Sequence, residues 1–429
     1  MTDQRIAAGD TAAAVEAVWR LESTRLIAGL ARIVRDVGLA EDLAQDALLA
    51  ALVQWPADGI PDRPAAWLMT TAKRRAVDQF RRGERRDRSY AVFARERGND
   101  AVEVDILSAI DHVEDDVLRL MFLCCHPTLT PDGRTTLTLK LVGGLSTREI
   151  ARSFLTTEST IAQRVVRAKR TLAEAGAALE EPDGTERRER LAGVLGVIYL
   201  LFNEGYSATA GADWMRPALC DEAIRLGRIL AALVPEGAEV HGLCALMELQ
   251  RSRLDARTGA DGQPVLLLDQ DRSRWDATHL RRGMAALQVA SGLSAEAGSY
   301  TLQAAIAACH ARAATVQDTD WSRIAALYEV LGHLWPSPVV ELNRAVAVGR
   351  ATGPAEGLAI VDALVRAGAL PGYPQLPAVR GDLLARLGRS QEARAEFERA
   401  AELTRNGQER TLFLARAASI GTGSILRPG

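Results

Sequence analysis

The segment Gly144–Leu172, GLSTREIARSFLTTESTIAQRVVRAKRTL, says most about what kind of fold this chain adopts. Ser146 followed by Glu149 makes a capping box, in which a hydroxyl accepts from the third helical N–H and a carboxylate reaches back to the cap. Ile150 and Ala151 then begin the apolar face of a short helix that ends near Leu155. A polar turn, Thr156 to Glu158, leads into a second helix capped by Ser159 and running to Leu172. On it Ile161, Val165 and Ala168 face inward, leaving Thr160, Gln163, Arg164, Arg167 and Lys169 on the outer sides. The pattern predicts a helix-turn-helix whose basic second helix enters a major groove with its first turns and takes phosphates with its later cations. A solvated basic face on a bundle helix accounts for the charge alone, not for cap, turn and charge together.

Working outward, charge is segregated although the 429-residue chain has a net charge of only −3. Lys73 to Arg88 holds eight basic residues against three acidic ones, and Arg164 to Arg170 holds four basic and none acidic. Between them, Asp100 to Asp116 carries seven acidic residues and no Lys or Arg. Two basic footprints joined by an acidic connector suggest a bipartite polyanion binder. In the first footprint, RPAAWLMTTAKRRAVDQFRRGERR (63–86), Met69, Ala72, Ala76 and Phe80 share one helical stripe while Arg74, Asp78, Arg81 and Arg82 share the other. Trp67 lies near the basic side, where it would stack on a base; a core position beside Leu68 and Met69 is the other reading. Further upstream, LAEDLAQDALLAALVQW (39–55) predicts a helix on which Glu41, Asp42, Gln45 and Asp46 form one polar, acidic patch. Such a patch does not contact phosphate; it suits a basic protein surface, or water.

Composition bounds the rest: 48% hydrophobic, 25% charged and 5% aromatic residues describe a soluble globular chain of about three domains. The longest near-continuous apolar run, Leu191 to Phe202, has twelve residues and reads as a buried helix, since a membrane span needs about twenty. The start, MTDQRIAAGD, has neither a basic leader nor an apolar core, so a cytoplasmic protein is expected. Five scattered cysteines without a CxxC pair read as reduced, packed thiols.

Apolar residues recur at three- and four-residue spacing almost throughout, so the expected fold class is all-α. Breakers fall at Trp55–Pro64, His126–Gly133, Glu180–Glu186, Thr258–Pro264, Trp335–Pro338 and Leu370–Pro377. Near the end, AVRGDLLARLGRSQEARAEFERA places Gly381, Leu384, Gly388, Ala393, Phe397 and Ala400 at the spacing of a tetratricopeptide helical pair. Tyr328, eight residues before Pro336, marks a degenerate copy. One hairpin cannot bury its own apolar face, so residues 290 to 420 should stack as repeats; a generic helical bundle is the alternative.

Taken in order, LAEDLAQDALLAALVQW, AAWLMTTAKRRAVDQFRR and GLSTREIARSFLTTESTIAQRVVRAKRTL resemble regions two and four of an extracytoplasmic-function (ECF) RNA polymerase sigma factor. RLAGVLGVIYLLFNEGYSA, LLLDQDRSRWD, LQAAIAACHA and the terminal repeat resemble the extension of the subgroup with a C-terminal tetratricopeptide-like domain, the ECF42 type. The resemblance implies region two over 1–85, an acidic linker over 86–109, region four over 110–178, a helical extension over 186–289 and repeats over 290–425. It implies core RNA polymerase as partner, through the beta-prime clamp and the beta flap, and promoter DNA as target. Glu41, Asp42, Gln45 and Asp46 would then bind polymerase. Trp67, Lys73, Arg74, Arg75, Arg81 and Arg82, with the Trp55–Pro64 loop, would open and read the minus-ten element. Ser159, Thr160, Gln163, Arg164, Arg167 and Lys169 would read the minus-thirty-five element, Gln163 and Arg164 offering bidentate contacts. The connector Asp100 to Asp116 would thread along polymerase channels or stay solvated, and the repeats would regulate the rest in cis with a protein partner or ligand of their own. The turn LTTES lacks the glycine that many sigma factors carry there, which leaves the tilt of the recognition helix open.

No catalytic set and no cofactor are expected. Cys124, Cys125 and His126 are adjacent on a helix and point about 100° apart, which does not suit one tetrahedral metal. Asp269, Asp271, Ser273 and Asp276 imitate a calcium loop, but Arg274 stands where glycine is needed and Leu280 where the bidentate glutamate belongs. Phosphate-loop, HExxH and GxSxG patterns do not occur. Two other functions fit part of the pattern. A helix-turn-helix regulator that does not act as sigma leaves the acidic helix and Lys73–Arg88 unexplained, and a pure interaction scaffold leaves both basic helices unexplained.

Overall fold

A computed structural model describes residues 2–84, 113–154, 156–177, 179, 184–207, 215–259, 262 and 264–420. Among these residues there is no β-strand, only an isolated bridge between Thr258 and Pro264, which agrees with the expected all-α class. The chain divides into two compact units, Met1–Ile198 and Tyr199–Gly429.

The first unit begins with α1 (Thr2–Val34), α2 (Val37–Asp58) and α3 (Pro64–Glu84), which pack on one another. Helix α2 starts where the Asp36 carboxylate accepts from the Leu39 N–H. It then buries Ala40, Leu43, Ala44, Ala47, Ala51 and Trp55 along one stripe. Small side chains on that stripe let α1 approach closely and bring Leu26, Ile27, Leu30 and Ala31 into the same core. On the predicted inner stripe of α3, Ala72 and Ala76 are buried and Met69 is half-buried, the Phe80 side chain lying outside the described ones; Leu68, beside that stripe, is buried too. The Trp55–Pro64 segment is not all loop, because α2 continues through Pro56 to Asp58 and ends at Gly59, whose φ is +86°. Burial of the Trp55 ring holds that last turn in place despite the proline.

The same unit continues with α4 (Val113–Cys124), α5 (Pro131–Leu141), α6 (Thr147–Ser153) and α7 (Glu158–Glu174). Helix α4 lies on α1, and α5 and α6 both pack against α7. The expected capping box is present, with Ser146 Oγ accepting from Glu149 N at 3.2 Å and Ser146 N donating to the Glu149 carboxylate at 2.8 Å. The start of α7 differs from expectation. Thr157, not Ser159, is the cap, accepting from Thr160 N at 3.2 Å, while the Ser159 hydroxyl bonds to that of Thr157 at 2.9 Å. Starting there places Glu158 in the first turn, where the helix dipole favours a carboxylate. Most of the acidic connector lies outside the described residues. Asp116, assigned to it from sequence, instead lies in α4, where it is buried and paired with Arg32 at 3.1 Å and Arg119 at 3.3 Å.

Helix α8 (Gly184–Tyr206) contains the apolar run and buries Val194, Leu195, Val197, Ile198, Leu201 and Phe202. The second unit continues with α9 (Pro217–Leu233), α10 (Ala238–Arg251), α11 (Ala277–Leu293), α12 (Ser299–Arg312), α13 (Trp321–Leu334), α14 (Pro338–Ala351), α15 (Pro354–Arg366), α16 (Gln375–Arg386), α17 (Ser390–Leu403) and α18 (Gly407–Ser419). Helix α12 packs chiefly on α10, and from α13 onward each helix packs chiefly on its chain neighbours, the sequential stacking expected of helical repeats. The α16–α17 hairpin is the pair read from sequence. Gly388 turns with φ +77°, Ala393, Phe397 and Ala400 are buried, and a side chain at Gly381 would meet Ala393 O and the Phe397 ring. The α14–α15 hairpin uses the same device without a matching motif, because a Cβ on Gly357 would lie 2.7 Å from Ala345 O and 2.9 Å from the Gly349 Cα.

Another close approach is at Gly242 on α10, where a Cβ would fall 2.8 Å from the Thr301 backbone nitrogen of α12. Gly242→Ala should destabilise the second unit by about 2 kcal/mol despite the better helix propensity of alanine, readable in urea denaturation. His310 on α12 is buried, and burial with nearby Arg253 and Arg272 lowers its pKa from 6.5 to about 3, so the folded ring is neutral. Between those values the unfolded chain binds a proton that the folded one refuses, so stability falls as pH drops below 6.5. Acidification from pH 7 to 4.5 should cost the second unit about 2 kcal/mol through this residue, a dependence that His310→Gln should remove.

Candidate nucleic-acid interface

Helix α2 presents an open stripe. Asp42, Gln45 and Asp46 are exposed, and three- and four-residue steps carry it on to Leu49, 57% exposed, Leu52 and Val53, 77% exposed. The sequence reading singled out only the polar half of this stripe. Exposed apolar side chains rimmed by carboxylates mark a protein contact more strongly than an acidic patch does.

Glu41 is not on that stripe. It is 3% exposed, with Lys169 Nζ of α7 2.6 Å from one carboxylate oxygen and Lys140 Nζ of α5 3.6 Å from the other. Gln45 Nε2 also donates to it at 2.8 Å. The acidic patch expected from sequence is therefore divided, with three members outward and one turned inward. The helical wheel missed this because it carries no information about which neighbour lies beside a polar position.

On α3, Arg74 is exposed, Lys73 is half-buried, and Arg75 pairs with Asp46 of α2 at 3.3 Å. Arg81 and Arg82 lie in the last turns of α3, and their side chains fall outside the described ones. Trp67 is half-buried, its ring set edge-on against buried Trp55 with centroids 5.4 Å apart. Trp67 is thus partly a core residue, with part of its surface toward solvent.

On α7, Ile161, Val165, Ala168 and Leu172 are buried, as the wheel predicts. Ser159, Gln163 and Arg167 are exposed, together with Val166 at 66%, an outward apolar residue that the sequence reading passed over. Thr160 is half-buried beside the cap, its hydroxyl 2.8 Å from that of Thr157. Arg164 is held by Asp132 of α5 at 2.9 Å, and Lys169 by Glu41. The outward face of α7 thus includes Ser159, Gln163, Val166 and Arg167.

The neighbouring thiols are structural. Cys124 and Cys125 are buried, and burial is the main cause that pushes the Cys124 thiol well up and that of Cys125 to about 11, so both stay protonated at neutral pH. His126 Nδ1 instead lies 2.7 Å from the Thr128 hydroxyl. Among the described residues no cluster of histidine, cysteine or carboxylate side chains suits a metal. The residues that imitate a calcium loop serve the backbone, Asp271 accepting from Ser273 and Asp276 capping α11.

Comparison with known proteins agrees with this arrangement. Residues 20–86 match Sigma-70 region 2 and residues 119–172 match Sigma-70 region 4, while 190–291 match a family of unknown function, DUF6596. A protein of Rhizobium meliloti described as uncharacterized is 44% identical over 89% of both chains. The ECF RNA polymerase sigma factor SigK of Mycobacterium ulcerans is 33% identical over 35% of this chain and 78% of its own length. The probable ECF sigma factor SigI of Mycobacterium tuberculosis is 31% identical over 37% of this chain and 54% of its own. Among the described residues no helix is long and apolar enough to cross a membrane. With both sigma regions matched in order, and with most of SigK's length covered, the chain belongs to the extracytoplasmic-function family of RNA polymerase sigma factors.

Proposed function

We propose that this chain recruits core RNA polymerase to specific promoters and directs initiation there, without catalysis of its own, and that its C-terminal helical unit regulates it in cis. The observation that carries the reading is the open stripe of α2, Asp42, Gln45, Asp46, Leu49 and Val53, on the same compact unit as a helix-turn-helix with Gln163 and Arg167 outward. A mixed acidic and apolar stripe suits a basic, apolar protein groove such as the beta-prime clamp, and an outward glutamine and arginine suit base edges and phosphates. The beta flap is the natural partner of residues 110–178. Lys73, Arg74 and Arg75, with Arg81 and Arg82, supply the cations that a separated minus-ten strand needs, and Trp67 offers a stacking edge. In this reading Arg164 and Lys169 reach DNA after leaving Asp132 and Glu41, and Glu41 reaches polymerase after Lys140 and Lys169 withdraw. The subgroup with a tetratricopeptide-like extension is supported by the α16–α17 hairpin and the sequential stacking behind it.

The deciding experiment is in-vitro transcription with core polymerase and genomic promoter fragments. Full-length protein should initiate specifically, and the triple change Asp42→Ala, Gln45→Ala, Asp46→Ala should lower initiation about tenfold or more while leaving helicity and unfolding unchanged. Absence of initiation, combined with tight binding to duplex DNA without polymerase, would make the chain an ordinary helix-turn-helix regulator. Arg167→Ala should weaken holoenzyme binding similarly across promoter sequences and lower the slope of log affinity against log salt by about one, whereas Gln163→Ala should relax sequence preference at one base pair. Removing the residues after about 185 should alter promoter-directed transcription or its response to inducing conditions; an unchanged result rules out regulation in cis.

A further inference from the structure

The second unit gathers cationic and N–H donor groups that neither polymerase nor promoter contact explains. Two short 3-10 turns, Leu254–Arg257 and Arg272–Arg274, follow α10 and bring Arg253, Arg257 and Arg272 around two aromatic rings. The Arg257 guanidinium lies 3.8 Å over the Tyr206 ring, and those of Arg253 and Arg272 lie 6.0 and 5.0 Å from the centre of the Trp275 ring. Arg253 donates to the Tyr206 hydroxyl, and Arg272 donates to the carbonyls of His310 and Ala313 and to the Thr319 hydroxyl. Neither pairs with a carboxylate among the described residues. Asp318, which acts on Arg272 electrostatically, is bonded to Thr315.

Like charges gathered away from water repel, and a buried donor left without an acceptor loses the hydrogen bond that water gave it. Here three such donors, Arg253 Nε, Arg272 Nε and Trp275 Nε1, are buried without a protein hydrogen-bond partner, as is the Nδ1 of His310, which donates or accepts according to the tautomer. Trp275 and His310 are themselves 7% and 8% exposed, whereas Arg253 and Arg272 are only half-buried, though the Nε of each is inside. Burial, with Arg253 and Arg272 nearby, keeps the His310 ring neutral at physiological pH. The guanidinium groups also bond within the fold, but the N–H groups left without an acceptor are a cost that a bound acceptor would remove.

We propose that Arg253, Arg272 and Trp275 form a binding site for a small oxyanion, a ligand that presents phosphoryl or carboxylate oxygens to two guanidinium groups and an indole N–H. Guanidinium forks match both groups geometrically and electrostatically, and an anion between the arginines relieves their repulsion. The site lies wholly in the second unit and needs no polymerase, so it stands or falls separately from the sigma reading.

The test uses the full chain and two probes, inorganic phosphate and citrate, each at ionic strength matched with sodium chloride. Calorimetric titration and thermal unfolding should show saturable binding and a rise in the unfolding temperature of the second unit with at least one probe. Arg253→Gln, which removes one cation and a single hydroxyl contact, should weaken half-saturation about tenfold or more without lowering the unfolding temperature in chloride alone. Arg281→Gln, at an exposed position on α11, should leave binding unchanged. Phosphate acting without citrate assigns a phosphoryl ligand, and citrate without phosphate a carboxylate. Equal responses from the native chain and Arg253→Gln, or no saturable response to either probe, would overturn the proposal.

Discussion

A carboxylate carried into the interior of the first unit sets the terms for the rest of that unit. Glu41 sits among the alanines of α2, where an unanswered charge would cost several kcal/mol, and it is answered by one lysine from α5 and one from α7. Replacing such a buried triad with apolar side chains often costs nothing, so what it supplies is register rather than bulk stability. Two lysines from different helices reach one carboxylate in only one arrangement of the pieces. That arrangement also determines which polar residues of α2 and α7 remain on the surface.

The consequences run through both α2 and α7. With Glu41 and Lys169 engaged with each other, α2 offers Asp42, Gln45 and Asp46 with an apolar continuation, and α7 offers Ser159, Gln163, Val166 and Arg167. Arg164 is drawn to Asp132 and Arg75 to Asp46, pairs at the surface that water and salt screen and that a stronger partner displaces cheaply. Phosphate, with its higher charge density along a duplex, is such a partner. The inward pair at Glu41 is less screened, which separates contacts available at once from those that require helices to move.

The second unit meets a different constraint. Aromatic residues are only 5% of the chain, so its core is built from alanine, leucine and glycine and gains density through backbone proximity. Gly242 against Thr301 and Gly357 against Ala345 are places where no Cβ fits. Its few large aromatic rings are gathered partly around the arginines that follow α10, which leaves the helical stack with one region whose polarity is unlike the rest.

The all-α class, the capping box at Ser146, the buried faces of α3 and α7 and the α16–α17 hairpin were all legible in the sequence, because each is a local periodicity or a cap that neighbours within one or two turns determine. Element ends were less so. Pro131 and Pro338 read as breakers, yet each opens a helix, since proline ends one helix and begins another with the same lost N–H. Thr157 displaced Ser159 as a cap for a similarly short-range reason, a choice between two hydroxyls that the sequence leaves nearly balanced. Only tertiary structure decided that Glu41 turns inward while Leu49 and Val53 turn out, that Asp132 holds Arg164, and that Arg253 and Arg272 meet around Trp275. Those outcomes depend on which distant helix lies opposite each position. Helical periodicity specifies a residue's direction around its own axis and nothing about the charge or shape that faces it from another.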